Sequence, residues 1–495
     1  MSELVLGIDI GTSSSKGVLV TSTGEIRASS ERSHTLSLPR PGWAEHDAEE
    51  IWWQDFLAIC QELLPQADQP VVALCVSGIG PCFLAADAHG RPLRPAILYG
   101  IDTRATAEIA ELTRQYGAEQ ILARGGSPLT TQSVGPKLLW LQHHEPAVWQ
   151  QTRQLLMASS FVVERLTGQY VLDHHSASQC DPLYDIHENS WIEDWAAQIA
   201  PGLTLPRLLW PSDVAGYVTE SAAAATGLPA GIPVAAGTID AWVEALSVGV
   251  SEPGDLMLMY GTTMFLVEVQ RAALIHPSLW STAGVFAGTH TLAAGMATSG
   301  ALTAWLRKIA GDIAYETLVE EARNVTPGSE GLVVLPYFAG ERTPIFDPQA
   351  RGIICGLTLR HERGHIYRAL LEATAYGIRH TLEVMQGAGA DIKRLVAVGG
   401  GTKGGLWTQI VSDVTGLPQD IPEKTLGACY GDAFLAALAA SLTSRDALWN
   451  PILEQTQPDL SSRPIYDELY EVYRQLYPAT LALTHQLAAI QERPS

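Results

Sequence analysis

Residues 4–20, LVLGIDIGTSSSKGVLV, place one carboxylate, Asp9, inside a run that otherwise reads as a buried strand. Burying a charge is costly unless it is paired, hydrated or bound to a cation. Asp9 is therefore either a structural accident or a group that faces a ligand. The residues after it fit a phosphate. Gly11 permits a tight turn and close backbone approach, the hydroxyls and amides of Thr12, Ser13, Ser14 and Ser15 can donate to phosphate oxygens, and Lys16 supplies positive charge. Magnesium keeps several waters and takes one or two carboxylates plus nucleotide phosphates, so an Asp beside such a turn suits it. A Ser-rich hairpin with an edge Asp is an equal reading of this stretch alone.

A second carboxylate stands in VAAGTIDAWVEAL, residues 234–246, where a strand ends in small residues and a helix begins near Asp240. Two compatible roles are open to it: capping the helix N-terminus, and acting as a general base toward a substrate hydroxyl. Two glycine-rich turns follow, YGTTMF with Gly261 and Thr262, and VGGGTKGGLW with Gly400, Gly401 and Thr402. Each alone closes a loop, but together they would add phosphate donors and a shelf for a nucleoside. The chain contains no G-x-x-x-x-G-K-[ST] loop, no H-E-x-x-H and no G-x-S-x-G. The doublets His143-His144 and His174-His175 are adjacent instead of one helical turn apart, which argues against a metal site. Trp43, Trp52 and Trp53 read as packing residues.

These residues need elements to position them. The opening reads strand, turn, strand, and a related pattern returns in GDLMLMYGTTMFLVEVQ, where Gly261-Thr262 occupies the place of Gly11-Thr12 and Met259 that of Asp9. Either the chain holds two copies of one unit or the likeness is that of common hairpins. DAEEIWWQDFLAICQELL is an amphipathic helix with Asp47 as N-cap, and VVALCVSGIG is a buried strand ending in glycines. DVAGYVTESAAAATGLPAGIPVAAG reads as a linker, an Ala-rich helix and a strand. A boundary is expected at residues 245–252, where Gly, Ser and Pro concentrate. In the second half a helix leads to the strand RLVAVGG, a glycine turn and the helix LWTQIVSDVTG, an order that lets a ligand approach a helix N-terminus. The fold class is α/β.

At 495 residues the chain exceeds one ordinary core, and about 100–200 residues per domain predicts two to four domains. The formal charge of -22 argues against nucleic acid or an anionic membrane as partner, although a local cradle of amides can still hold one small anion. The six cysteines are scattered without C-x-x-C spacing, so neither disulfides nor structural zinc are expected. Glu3 and Asp9 interrupt the first apolar run, and no stretch of about 18 uncharged apolar residues appears, which makes a cytoplasmic protein the expectation.

Taken together these stretches resemble the FGGY family of carbohydrate kinases from Leu4 to Ala440. GIDIGTSSSK is similar to its first phosphate turn, PGWAEHDAEEIWW to the start of the following helix, GPKLLWLQHHEP to a diagnostic segment and AAGTIDAWVEAL to the segment carrying its catalytic Asp. LMYGTTMFL is similar to its second phosphate turn, YFAGERTPIFDPQARGIICGLTLRHERGHIYRALLEA to its longest diagnostic stretch, and VGGGTKGGLWTQIVSDVTGLP to its adenosine-binding turn. The resemblance implies two ribonuclease H-like, actin-like lobes around a central cleft, residues 1–247 and 248–495, with the last helices packing back on the first lobe. It implies transfer of the γ-phosphoryl of MgATP to a sugar or polyol hydroxyl. Asp240 would be the base and Asp9 the group near magnesium. Thr12, Ser13, Ser14, Lys16, Gly261 and Thr262 would handle phosphates, and Gly400, Gly401 and Thr402 the adenosine. ATP and the sugar are the expected partners, and a homodimer is left open.

GERTP and the overall likeness point to the xylulokinase members and so to a ketopentose such as xylulose. Two departures qualify the sugar. Xylulokinases carry Gln-Met-His-Gly where this chain has Ile79-Gly80-Pro81-Cys82, and they follow the catalytic Asp with Asn where this chain has Ala241. Lost partners for sugar hydroxyls are penalised strongly, so ribulose, a hexulose, a sugar acid or a glycerol-like polyol are alternatives. A non-catalytic binder on the same fold is the reading from another class. Gly80 and Pro81 are candidates for the sugar wall. Asp102 and Arg104, preceded by one residue more than the family pattern has, are either substrate-side groups or a surface ion pair.

Overall fold

The apolar run Leu4–Ile10 forms a strand (β1) in the computed structural model, which describes residues 3–491 and 493. β1 pairs antiparallel with β2 (Ser14–Thr21), and β2 with β3 (Ile26–Ser33). On its other side β1 takes β4 (Val71–Gly78) in parallel. β5 (Val214–Tyr217) and β6 (Pro233–Ala235) complete a six-stranded sheet in the order β5-β6-β4-β1-β2-β3. The segment expected as a linker before the Ala-rich helix thus contains an edge strand. Its alternation is short and half exposed, so no apolar period announced it. Leu4, Val5, Leu6, Ile8 and Ile10 are fully buried, as expected for a central strand covered on both faces. α1 (Gln54–Leu63) packs on β2 and β3, in a helical run where Asp47 accepts the amides of Glu49 and Glu50 as N-cap. α2 (Asp240–Ser247) follows β6.

The second sheet repeats the scheme. β7 (Asp255–Tyr260) forms a hairpin with β8 (Met264–Gln270), and beyond β8 lies β9 (His290–Met296). On its other side β7 takes β10 (Arg394–Val398) in parallel, then β11 (Gln419–Pro422) in parallel and β12 (Ile452–Thr456) antiparallel. Reading outward from the first hairpin, both sheets have the ribonuclease H-like order 3-2-1-4-5, so the two Gly-Thr turns belong to one duplicated unit. The helices around the second sheet include α3 (Gly300–Ile309), α4 (Arg363–Gly387) and α5 (Leu406–Thr415).

The chain divides into two compact units. One comprises the residues up to Ser251 with Val269–Thr291 and Leu426–Asn450, and the other comprises Glu252–Glu268, Leu292–Thr425 and the chain from Pro451 on. The segment Leu426–Asn450 carries α6 (Ala428–Ala439), which packs on β1 and β4 of the first unit. It crosses so closely at Gly7 that a Cβ there would lie 2.0 Å from the carbonyl oxygen of Cys429, which is why β1 needs a glycine in mid-strand. Side chains alternate across a strand, so Asp9 faces the same side as Gly7, toward α6. Among the described residues all six cysteines are free, and no helix is long and apolar enough to cross a membrane.

Candidate functional site

Parallel strands deliver three segments to one edge of the first sheet. Asp9 is the penultimate residue of β1, Gly80 lies just beyond β4, and Asp240 opens α2 after β6. Backbone bonds hold these ends together: Ile79 N–H donates to Ile10 O at 2.7 Å, and Gly78 N–H to Thr238 O at 3.2 Å. A Cβ on Gly80 would sit 2.6 Å from the Ile239 side chain, so only glycine lets this strand end lie against the residue before Asp240. The carboxyl ends of parallel strands are where α/β sheets bind ligands.

Burial pushes the Asp9 carboxyl up to about 6, against the pull of Lys16, its cross-strand partner, and of the Ser77 hydroxyl at 3.4 Å. Burial, and then the Asp9 charge, raise Asp240 well above the usual carboxylate range. The same two causes bring Glu244, one turn further along α2, to about 7. Asp432 on α6 is raised well above its ordinary value by burial. Four acids, one buried and three half-buried, thus share a neighbourhood that asks for a proton or a cation. Asp240 is the first helical residue and Ile239 the N-cap. Its Oδ1 accepts the Ala241 amide at 2.7 Å, and among the described residues its Oδ2 accepts from no protein donor. The helix is pinned on both sides of it: Thr238 Oγ1 donates to Asp173 at 2.6 Å, and Trp242 Nε1 donates to Thr291 Oγ1 at 2.9 Å.

The first turn closes through Gly11 N–H to Ser14 O at 3.0 Å, and Thr12 Oγ1 lies 3.4 Å from the Tyr99 hydroxyl. Ser13 is exposed, while Ser14 and Lys16 are half-buried. Lys16 Nζ stands 3.7 Å from Glu31.

Asp102 and Arg104 form a buried pair, which removes the surface alternative. Asp102 Oδ1 accepts from Arg104 Nε at 2.9 Å, while Oδ2 accepts from Arg104 Nη2 at 2.7 Å and from the Ala44 amide at 2.7 Å. Arg104 also reaches Glu45 at 2.8 Å and stacks 3.9 Å over Trp43. Both carboxylate oxygens are already engaged by protein donors. Of the four residues that replace the Gln-Met-His-Gly stretch, Ile79, Pro81 and Cys82 are buried and Gly80 is half-buried.

In the second unit a cavity of about 800 Å³ is lined by Gly261 and Thr262, by the start of α3 and by Gly400 and Gly401. Gly300 N–H donates to Gly261 O at 2.9 Å, and a Cβ on Gly300 would lie 2.7 Å from that oxygen, so the turn and the helix N-terminus meet only through glycine. Tyr260, Tyr315, Tyr367 and Trp407 supply aromatic wall. Thr402 donates its hydroxyl back to Gly399 O at 2.9 Å, and Lys403 and Gly404 line the cavity in its place. The position matching Asp9 is apolar here: Met259 pairs with Phe265 and Val398. Sequence reasoning missed Ser77, Glu244, Gly300, Asp432 and the tyrosines. Only Glu244 left a signal, its spacing of one helical turn from Asp240.

These two sets of residues are matched by family models. The N-terminal domain of the FGGY family of carbohydrate kinases matches residues 4–247, and its C-terminal domain matches residues 256–440. The chain belongs to the FGGY family of carbohydrate kinases. As an FGGY kinase it is a sugar phosphotransferase, and kinases of this family use ATP. It is 30% identical to a xylulose kinase of Escherichia coli (strain K12), over 97% of this chain and 100% of that one. It is also 30% identical to a glycerol kinase of Alkalilimnicola ehrlichii, over 89% of this chain and 91% of the other. The crystal structure of a xylulose kinase from Rhodospirillum rubrum superposes with a TM-score of 0.91 at 34% identity, covering 98% of this chain and 100% of that chain. The two-lobed, actin-like architecture implied by the resemblance is the architecture of this FGGY kinase.

Proposed function

We propose that this FGGY kinase transfers the γ-phosphoryl group of MgATP to a hydroxyl of a ketopentose, with D-xylulose the first candidate. The observation that carries the reading is Asp240: a half-buried carboxylate with one unengaged oxygen, at the sheet edge that also bears Asp9 and the first phosphate turn. Its raised basicity suits a group that takes a proton from a sugar hydroxyl as the oxygen attacks. Thr12, Ser13, Ser14 and Lys16 would hold phosphate oxygens, as would Gly261 and Thr262, and Gly400 and Gly401 with Lys403 and Gly404 would frame the adenosine. Gly80 and Pro81 would form the sugar wall, with the Asp102–Arg104 pair fixing the segment behind it.

The donor set fits a magnesium ion held by Asp9 with waters and phosphate oxygens. Asp9 has the Ser77 hydroxyl at 3.4 Å as its protein hydrogen-bond donor, and Asp240 and Glu244 add negative charge beside it. Among the described residues no group of three or more His, Cys, Asp or Glu forms a cage, as suits an ion that keeps its waters. Magnesium, when bound, neutralises charge on the phosphates.

The xylulose kinase relatives support the sugar. The glycerol kinase relative and Ala241 keep other sugars and polyols as the second reading. ADP release measured across pentuloses, hexuloses, sugar acids and polyols tests the proposal, with D-xylulose expected to give the highest kcat/KM. A different preferred member overturns the sugar assignment. Turnover no higher than with ATP alone for every member overturns the catalytic reading in favour of a non-catalytic binder.

A further inference from the structure

Beneath the first phosphate turn lies a buried cluster that none of these roles uses. His34 directly follows β3, and its side chain is 7% exposed. Its Nδ1 lies 2.8 Å from Asp55 Oδ2 and its Nε2 lies 3.1 Å from Gly11 O. Asp55, on α1, also accepts the Ser15 hydroxyl at 2.7 Å. A carboxylate and a carbonyl can only accept, so each ring nitrogen must carry a hydrogen and donate it, which makes His34 an imidazolium.

The backbone completes the pattern. His34 N–H donates to Ser13 O at 2.9 Å, and Gly11 N–H donates to Ser14 O at 3.0 Å. The carbonyls of Gly11, Ser13 and Ser14 are therefore all drawn to protein donors, two of them by His34. The amides of Thr12 and Ser13 meet no protein acceptor among the described residues. A phosphate is attracted by free amides and repelled by carbonyl oxygens, so turning the carbonyls away is what makes such a loop an anion site.

We propose that His34, anchored by Asp55, is a positioning residue for ATP. It clamps the Gly11 and Ser13 carbonyls on the protein side, leaves the Thr12 and Ser13 amides free for phosphate oxygens, and adds a fixed positive charge beneath them. This rests on the kinase reading above.

His34 faces Asp55 from α1 and His46 edge-on at 5.1 Å from the strand Glu45–His46, and its charge is felt by Asp9 of β1. Burial works against the imidazolium, but the hydrogen bond and charge of Asp55 outweigh it and hold the pKa above its ordinary value. His46, lowered to about 4 by burial, stays neutral across the range in which His34 titrates.

The test is ATP binding by titration calorimetry, with KM for ATP and for the sugar, in the wild type, His34→Ala, His34→Gln and Asp55→Asn. We expect His34→Ala to weaken ATP roughly 10-fold while the sugar KM moves less than twofold. His34→Gln, which keeps one donor, should retain part of the affinity, and Asp55→Asn should weaken ATP as well. Wild-type affinity for ATP should fall as pH rises through the His34 pKa, and this step should be missing in His34→Gln, whereas changes at Asp9 would occur in both. Equal ATP affinity in His34→Ala and wild type overturns the assignment. So does a parallel loss of ATP and sugar binding with a lowered melting temperature. A wild type that binds no ATP instead overturns the kinase reading itself.

Discussion

Ser77 on β4 and Asp432 on α6, 355 residues apart in sequence, are joined by a 2.6 Å hydrogen bond between their side chains. Asp432 is fully buried, it also accepts from the Cys75 thiol at 3.5 Å, and among the described residues it has no ion-pair partner. Burial holds it in the protonated form. A protonated Asp432 donates to Ser77 Oγ and leaves the Ser77 hydrogen for Asp9, 3.4 Å away. We expect Asp432→Asn, which can still donate, to keep turnover within a few-fold of wild type. Asp432→Ala strands the hydroxyl and should cost about 1–3 kcal/mol of stability, read by chemical denaturation. Wild-type stability in Asp432→Ala would remove this link.

Asp240→Asn separates chemistry from folding. The amide has no basic oxygen for the sugar proton, so turnover should fall on the order of 10²–10⁴-fold, while ATP affinity stays close to wild type. The substitution also removes a half-buried acid repelled by Asp9, so the melting temperature should hold or rise. Near-normal turnover would sink the assignment of the base.

How much of this was legible depended on how local each feature is. Asp9, Gly11 and Thr12 announce themselves because strand, turn and strand are contiguous, and the duplicate at Gly261 and Thr262 appears by the same logic. Asp240 is legible because a strand ending in small residues before an acid is a local pattern. Asp432 is not, because it reads as an interior position of an Ala-rich helix until α6 is seen to pack on β1. Ser77 closes a buried strand and looks like an ordinary small residue. Gly300 gains meaning only from its approach to the Gly261 carbonyl. The Asp102–Arg104 pair misleads for the same reason: its burial comes from Trp43 and Ala44, 58 or more residues earlier in the chain.

Glu341, in the GERTP stretch, predicts a pH dependence. It accepts the amides of Ala297 and Arg342 at 2.7 Å each, yet burial outweighs both bonds and pushes its carboxyl from 4.5 to about 8. Between those values the folded protein keeps a proton that the unfolded chain has released. Its contribution to stability is therefore lost as pH rises through that window, by about 5 kcal/mol in all. Glu341→Gln keeps an acceptor for the amides and removes the titration. The stability gap between variant and wild type should widen from pH 5 to pH 8 in denaturant titrations. A gap independent of pH would show that Glu341 does not titrate in this range.

Arg104 tests whether the buried pair is structural. The guanidinium meets both oxygens of Asp102, bonds to Glu45 and stacks on Trp43, and its side chain is 1% exposed. Arg104→Leu leaves the Asp102 carboxylate buried without its cation, which costs about 3–5 kcal/mol. The double variant Asp102→Asn, Arg104→Leu removes the stranded charge and should recover a substantial part of the loss, because the penalty lies in the uncompensated carboxylate more than in the absent ion pair. Denaturation curves for the two variants decide it. If Arg104→Leu keeps wild-type stability while the sugar KM rises, the pair serves the substrate instead of the fold.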